Sequence, residues 1–251
     1  MTTITSASEW TALSARLTSA LHLAVPPIFL AFESELPEGV RQFDGQMSEP
    51  SADGRSGKVS ASCVFWMEAS RAEGAFATQA EDHGNCSVGR LTHGFASLDE
   101  VAGNDDVAAL LASGWVTPEM VPAIPVVTQR PVVISYGRVD KMPSGVSPDV
   151  IMARVNGRQL MVLCDALPGL RIEGKPQCHI VAVAKEQGVP AASVGCALSR
   201  ARTGMRPEEM TCAFPASTFA DIVGQVEATA ATDAVVAKYA VDDARRFDAR
   251  K

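Results

Sequence analysis

The sequence predicts an α/β protein: a single compact domain, spanning 1–251, in which a mixed sheet is flanked by helices. Three observations predict it. Short β-branched runs alternate with helical patterns through the second half of the chain, the pattern of folds that cover a sheet with helices. At 251 residues, 47% hydrophobic and 20% charged, the chain can bury a core without disulfides. No stretch is long and polar enough to demand two domains. Positions 44–58, rich in Gly, Ser, Asp and Pro, are the one candidate boundary, and they read equally well as an inserted loop. A mixed α+β arrangement is the alternative, because strand pairing is not written in local pattern.

The elements follow in order. Ser6 and Glu9 form a capping box for a helix through about Leu23, with Trp10, Leu13, Leu17, Ala20 and Leu21 at helical spacing. Pro26-Pro27 ends it, and Ile28 to Phe32 reads as a buried strand. Ser62 to Arg71 is a helix followed by Gly74, and Leu98 to Ser113 is a helix stopped by Gly114. Pro131 to Tyr136 is a central strand and Pro148 to Val155 a second. Asn156 caps a helix through about Ala166. Ala191 to Val194 and Thr211 to Phe214 are short strands, and Pro215 opens a helix to about Ala231, with a last helix over Asp233 to Arg246. No internal repeat is visible.

Charge narrows the function. The chain carries 22 basic and 29 acidic residues, net −7, so a general nucleic-acid binder is not expected, because phosphate neutralisation needs clustered Lys and Arg. Residues 1–125 hold 6 of the basic and 16 of the acidic groups. The more basic second half can meet the first across an interface or receive a small anion. No segment has the roughly 18–20 apolar residues of a membrane helix, and Met1 to Trp10 lacks the basic start and apolar run of a secretory signal. A cytoplasmic protein with reduced or metal-bound cysteines is expected.

The standard motifs are absent: no G-x-G-x-x-G, P-loop, H-E-x-x-H, C-x-x-C or G-x-S-x-G occurs. Glu81-Asp82-His83-Gly84-Asn85-Cys86 is the densest reactive stretch, two carboxylates, an imidazole and a thiol that suit metal binding or proton relay. An ordinary polar loop is the plainer alternative. Val194-Gly195-Cys196 ends a strand and starts a turn or helix, where backbone N–H groups favour a thiolate. Arg200 and Arg202 follow and are candidates to hold an anionic substrate. Cys63 and Cys178 complete a set of four, whereas Cys164 and Cys212 sit in apolar runs and read as core residues. Widely spaced cysteines suit an iron–sulfur cluster better than structural zinc, which usually draws on close pairs.

Taken together, Val25-Pro-Pro-Ile-Phe-Leu-Ala-Phe32, Cys63 with its aromatic–Met segment, Phe76-Ala-Thr-Gln-Ala-Glu-Asp-His83 with Cys86, Ser147-Pro-Asp-Val150, Gln159-Leu-Met161, Cys178, Ser193-Val-Gly-Cys196 and Glu208-Glu-Met210 through Phe214-Pro-Ala216 form an ordered set. In that set the chain resembles the archaeal and bacterial family catalogued as domain of unknown function 169. The resemblance implies that Cys63, Cys86, Cys178 and Cys196 fall on recurring cysteine positions, with His83 on a recurring histidine. Gly84-Asn85 before Cys86 and the stretch 44–58 depart from the family pattern.

The expectation is therefore a cytoplasmic iron–sulfur protein, a redox or lyase-type enzyme acting on a small, anionic molecule. Cys63, Cys86, Cys178 and Cys196 ligate a cluster of the 4Fe-4S type, His83 is the acid–base group, and Glu81 or Asp82 orients it. A homodimer and an electron-transfer partner belong to the same expectation. The competing readings are a metal-independent thiol enzyme using Cys196 and His83, and a non-catalytic metabolite or metal sensor.

Overall fold

In the computed structural model of the protein, the described residues are 4, 6–45 and 61–248. The chain opens with α1, Ala7–Leu21, under the expected cap: Glu9 N–H donates to Ser6 Oγ at 3.3 Å and Ser6 N–H to Glu9 Oε2 at 2.9 Å. His22 leaves the helix in the left-handed region at φ 52. Strand β1, Ile28–Glu33, and the two-residue β2, Arg41–Gln42, follow. Of the expected loop 44–58, positions 46–58 lie outside the described residues.

Helix α2, Ser62–Arg71, has the expected bounds, and β3, Phe76–Thr78, comes after it. A 3₁₀ turn, Ala80–His83, leads to α3, Ser87–Thr92. The single helix expected over Leu98 to Ser113 is two, α4, Leu98–Val101, and α5, Asp105–Ala112. Gly103 and Asn104 break it, since glycine disfavours helix and Asn104 takes the N-cap position of α5. Then come β4, Val133–Arg138, and β5, Val150–Asn156.

Helix α6, Gly157–Ala166, starts at a second capping box, Asn156 with Gln159. Gln159 Nε2 also donates to the carbonyls of Leu21 and His22 at 2.9 and 3.0 Å, tying α6 to the end of α1. The rest is β6, Arg171–Glu173, α7, His179–Gln187, β7, Ala191–Ser193, α8, Ala197–Thr203, β8, Glu209–Pro215, and α9, Phe219–Asp248. Helix α9 runs unbroken through the two helices expected there, because nothing between Ala231 and Asp233 interrupts a helix.

The strands form one mixed sheet in the order β2-β3-β4-β1-β5-β8-β7-β6. The two outer pairs are parallel and the others antiparallel. This order is a palindrome: read from the other end, each strand of one half meets its counterpart four numbers away. β1, β2, β3 and β4 thus correspond to β5, β6, β7 and β8, about a two-fold relation between β1 and β5. A duplicated plan therefore exists in the topology, although no repeat is visible in the sequence.

The side chains alternate across this sheet. Phe29, Ala31, Ile151, Ala153, Cys212 and Phe214 pack on one face under α1, α6 and α9. Ile28, Leu30, Ile134, Tyr136, Met152 and Ala213 pack on the other, under α2 and α7 with α3. The second face carries the site.

Candidate functional site

Each half of the sheet delivers two cysteines to the same face, at matching places. Cys63 is the second residue of α2, and Cys178 is the N-cap of α7. Cys86 is the N-cap of α3, and Cys196 is the N-cap of α8. The ends of β3 and β7, Thr78 and Ser193, fix the correspondence. Cys63 precedes Thr78 by 15 positions and Cys178 precedes Ser193 by the same 15. The ladders extend it: Thr78 pairs with Ile134 and Ile134 with Phe32, while Ser193 pairs with Thr211 and Thr211 with Arg154.

The four thiols line one cavity of about 460 Å³, part of it open to solvent. Cys178 is buried, and Cys63, Cys86 and Cys196 are half-buried. Ser62, Gln177 and Ser199 supply polar wall between them, and Leu110, Trp115 and Leu198 cover it. Leu110 and Trp115 come from the excursion between α3 and β4, which the second half lacks, and Leu198 comes from α8. The excursion is pinned beside Cys86, where Ser87 donates from N–H and Oγ to Asp106 at 2.9 and 2.6 Å and Asn104 donates to Ser87 Oγ at 2.7 Å.

The electrostatics of the cavity are unbalanced. Burial, then the neighbouring Cys86 and Cys196, push the Cys63 thiol up to about 12. Burial, then Cys86, also drive Cys178 well above the usual thiol range, and burial raises Cys196 although Ser199 N–H donates to its sulfur at 3.3 Å. These thiols disfavour one another's ionisation, so they are held neutral until a cation joins them. Among the described residues one cationic side chain lines the wall: Arg202, which also donates to Asn85 O at 2.9 Å. Burial works against its charge, yet Cys86, Cys63 and Cys196 hold it raised.

Other expected site residues fall elsewhere. His83 is buried, and its ring nitrogens meet Ser62 Oγ at 2.9 Å and Thr78 Oγ1 at 2.8 Å. Burial, with His93 and Arg90 adding to it, keeps His83 well below its ordinary range, hence neutral. Ser62 and Thr78 thus hold the positions at the ring where Glu81 or Asp82 was expected. Glu81 is exposed, and the Asp82 carboxylate accepts from the Gln79 N–H at 2.9 Å. Arg200 is a strut, donating to the carbonyls of Arg206, Val194 and Glu209. Cys164 is exposed on α6 and Cys212 packs on the opposite face of the sheet, so neither joins the set.

Residue pattern missed Ser62 and Gln177. They are counterparts, each the residue just before a cavity cysteine and each 16 positions before the end of its strand. A polar residue followed by Cys at a helix start was the available signal.

The donor set suits a cation-bearing group. Four thiols line one cavity. At Gly89 a Cβ would come within 3.0 Å of Ser62 Oγ and 3.5 Å of Cys86 Sγ, so the backbone there is bare where the wall is tight. Among the described residues no three His, Cys, Asp or Glu side chains are gathered so as to hold a metal ion. A single zinc would need its sulfurs within about 2.3 Å of one point, whereas a multi-iron cluster spreads its ligands around its own volume.

The family model described as domain of unknown function 169, uncharacterised ArCR, matches residues 16–225, and the chain belongs to that family. The match takes in both halves of the sheet and all four cavity cysteines. No curated protein and no solved structure matches the chain. Among the described residues no helix is long and apolar enough to cross a membrane.

Proposed function

We propose that Cys63, Cys86, Cys178 and Cys196 hold an iron–sulfur cluster of the 4Fe-4S type and that the protein is a cytoplasmic redox or lyase-type enzyme for a small anionic molecule. The observation that supports this most is the paired delivery: two corresponding halves each bring a helix-start cysteine and a post-strand cysteine to one cavity. Burial and the neighbouring thiols hold Cys63 and Cys178 above the usual thiol range, a penalty that a bound cation would offset. When bound, such a cluster supplies electron transfer, or Lewis acidity if one iron lacks a protein ligand.

The chain's own residues have separable tasks in this reading. Arg202 offsets negative charge at the Cys86 side. Leu110, Trp115 and Leu198 keep bulk water from the thiolates, which strengthens every charge interaction inside. His83 is a positioning residue: it fixes Ser62 beside Cys63, so any acid–base work it does passes through the Ser62 hydroxyl. A saturated cluster would also need an electron-transfer partner. A free Cys196 nucleophile is less well supported, because burial raises that thiol and His83 is engaged by Ser62 and Thr78.

Anaerobic purification after co-expression with cluster-assembly factors tests it. A brown protein whose visible absorption bleaches with dithionite is the predicted result. A colourless protein under those conditions refutes it.

A further inference from the structure

Beside the thiol cavity lies a second one, also of about 460 Å³ and partly open to solvent, with Cys63 and Gln177 in the wall that the two share. Its polar lining comes from Trp66, Ser70, Arg154, Gln177 and Thr211, and the remainder is apolar. Two of these residues carry buried polar atoms with no partner: the Trp66 Nε1–H donor and the Gln177 Oε1 acceptor. Trp66 is 6% exposed and Gln177 3%, so neither atom is simply hydrated at the surface. An unmade hydrogen bond in a buried place is costly, so such atoms call for a partner. Arg154 is also under-used. Among the described residues its one ion pair, to Glu209, spans 3.7 Å, longer than a hydrogen bond.

The corresponding place in the other half shows that the fold does not require this set. Arg154 corresponds to Phe32, Thr211 to Ile134, Trp66 to Val181 and Ser70 to Lys185. There Lys185 ion-pairs with Asp149 at 2.6 Å and lies 5.1 Å over the Phe32 ring, so its charge is satisfied and the space is filled. One half has apolar and paired groups at this place, while the other lines a cavity with Arg154, Trp66 and Gln177.

We propose that this second cavity binds a small hydroxycarboxylate, its acid group held by Arg154 and Trp66 and its hydroxyl donating to Gln177 beside Cys63. The planar guanidinium fork matches a two-oxygen acid. Among the described lining residues, a second negative charge, as on phosphate, meets no cation besides Arg154. The hydroxyl supplies the donor that Gln177 Oε1 lacks. That this is the substrate side of a metal centre rests on the cluster proposed above; the binding itself does not.

Calorimetric titration of the full chain, free of cluster, with lactate, acetate and inorganic phosphate tests the proposal. Lactate is predicted to bind saturably and more tightly than acetate, with phosphate failing to bind. Arg154→Gln weakens lactate about tenfold or more, as loss of a charge-assisted hydrogen bond does. Trp66→Phe, which keeps a ring and removes the N–H, weakens it about threefold or more, and it decides the matter if Arg154→Gln does not fold. No saturable lactate binding, phosphate binding as tightly as lactate, or lactate affinity unchanged in both folded variants overturns it. Iron bound without lactate binding removes this inference alone. Lactate binding in a protein that never takes up iron removes the cluster reading alone.

Discussion

The half of the sheet from β1 to β4 and the half from β5 to β8 share one strand plan but differ in what they place on it. Both put a cysteine at the start of the helix that joins the parallel pair, and both put another after the strand that follows. The first half then inserts the excursion carrying Leu110 and Trp115, which covers the thiols. The second half returns to the sheet directly through α8. The conserved plan positions the cysteines, and the differences make one side of the cavity covered and the neighbouring cavity polar. A repeated strand plan thus brings matching cysteines to one cavity, and the differences between the halves give the neighbouring cavity its polar lining.

The sharpest way to break this comparison is to remove matched cysteines. Cys63→Ala and Cys178→Ala should each lower bound iron by most of its wild-type value and to the same degree. Cys164→Ala and Cys212→Ala should leave iron unchanged. A full iron complement in Cys178→Ala with loss in Cys63→Ala would make the halves inequivalent.

Acid should destabilise both halves, since His83 and His93 are buried in the first and His179 in the second. Burial pulls His93 down to about 4 from its ordinary 6.5, partly opposed by its hydrogen bond to Gly89 O, and burial takes His179 to about 4 as well. The unfolded chain accepts these protons more readily than the folded one. Stability present above pH 6.5 is therefore lost as pH falls towards 4, by about 3 kcal/mol for His93 alone. Urea midpoints between pH 7 and pH 4.5 read this loss, and His93→Phe should reduce it.

Glycines at helix ends give a smaller contrast. Gly94 follows α3 at φ 76, and a Cβ there would lie 2.8 Å from Val127 O. Gly188 follows α7 at φ 64 with open space around it. Gly94→Ala should cost about 2–3 kcal/mol and Gly188→Ala about 1 kcal/mol by denaturant unfolding. Equal costs would mean that the start of the excursion is looser than its packing implies. The smallest effect belongs to the distal part of α9, where no residue beyond Val226 is buried. Deleting residues 236–251 should shift stability by less than about 0.5 kcal/mol.

Local signals in the sequence were legible where the chain caps itself. Ser6 with Glu9 and Asn156 were read from side-chain chemistry, and Ser62 to Arg71 from its apolar spacing. Helix α7 was not, because Ile180 to Ala184 are all buried and leave no polar face to set a period. Strands β2, β3 and β6 have two or three residues each, too short for alternation to register. The cysteine set could be named from the sequence, but its convergence depends on β1 pairing with β5, a contact between the halves that no local pattern records. The same pairing explains why the duplication stayed hidden: Val25-Pro26-Pro27-Ile28 and Ser147-Pro148-Asp149-Val150 occupy corresponding places while sharing little beyond proline and a β-branched residue. Arg200 and Asp82 were legible as reactive residues but not as a strut and a cap, because those uses are set by carbonyls and N–H groups that only the folded chain brings near.

Iron and acid-labile sulfide per chain, measured together on anaerobically prepared wild-type protein and on the double variant Cys86→Ala/Cys196→Ala, test the shared cavity most directly. About four of each in the wild type and almost none in the double variant is the predicted result. Wild type without sulfide, or a double variant that keeps the full complement, would contradict a cluster held jointly by the two halves.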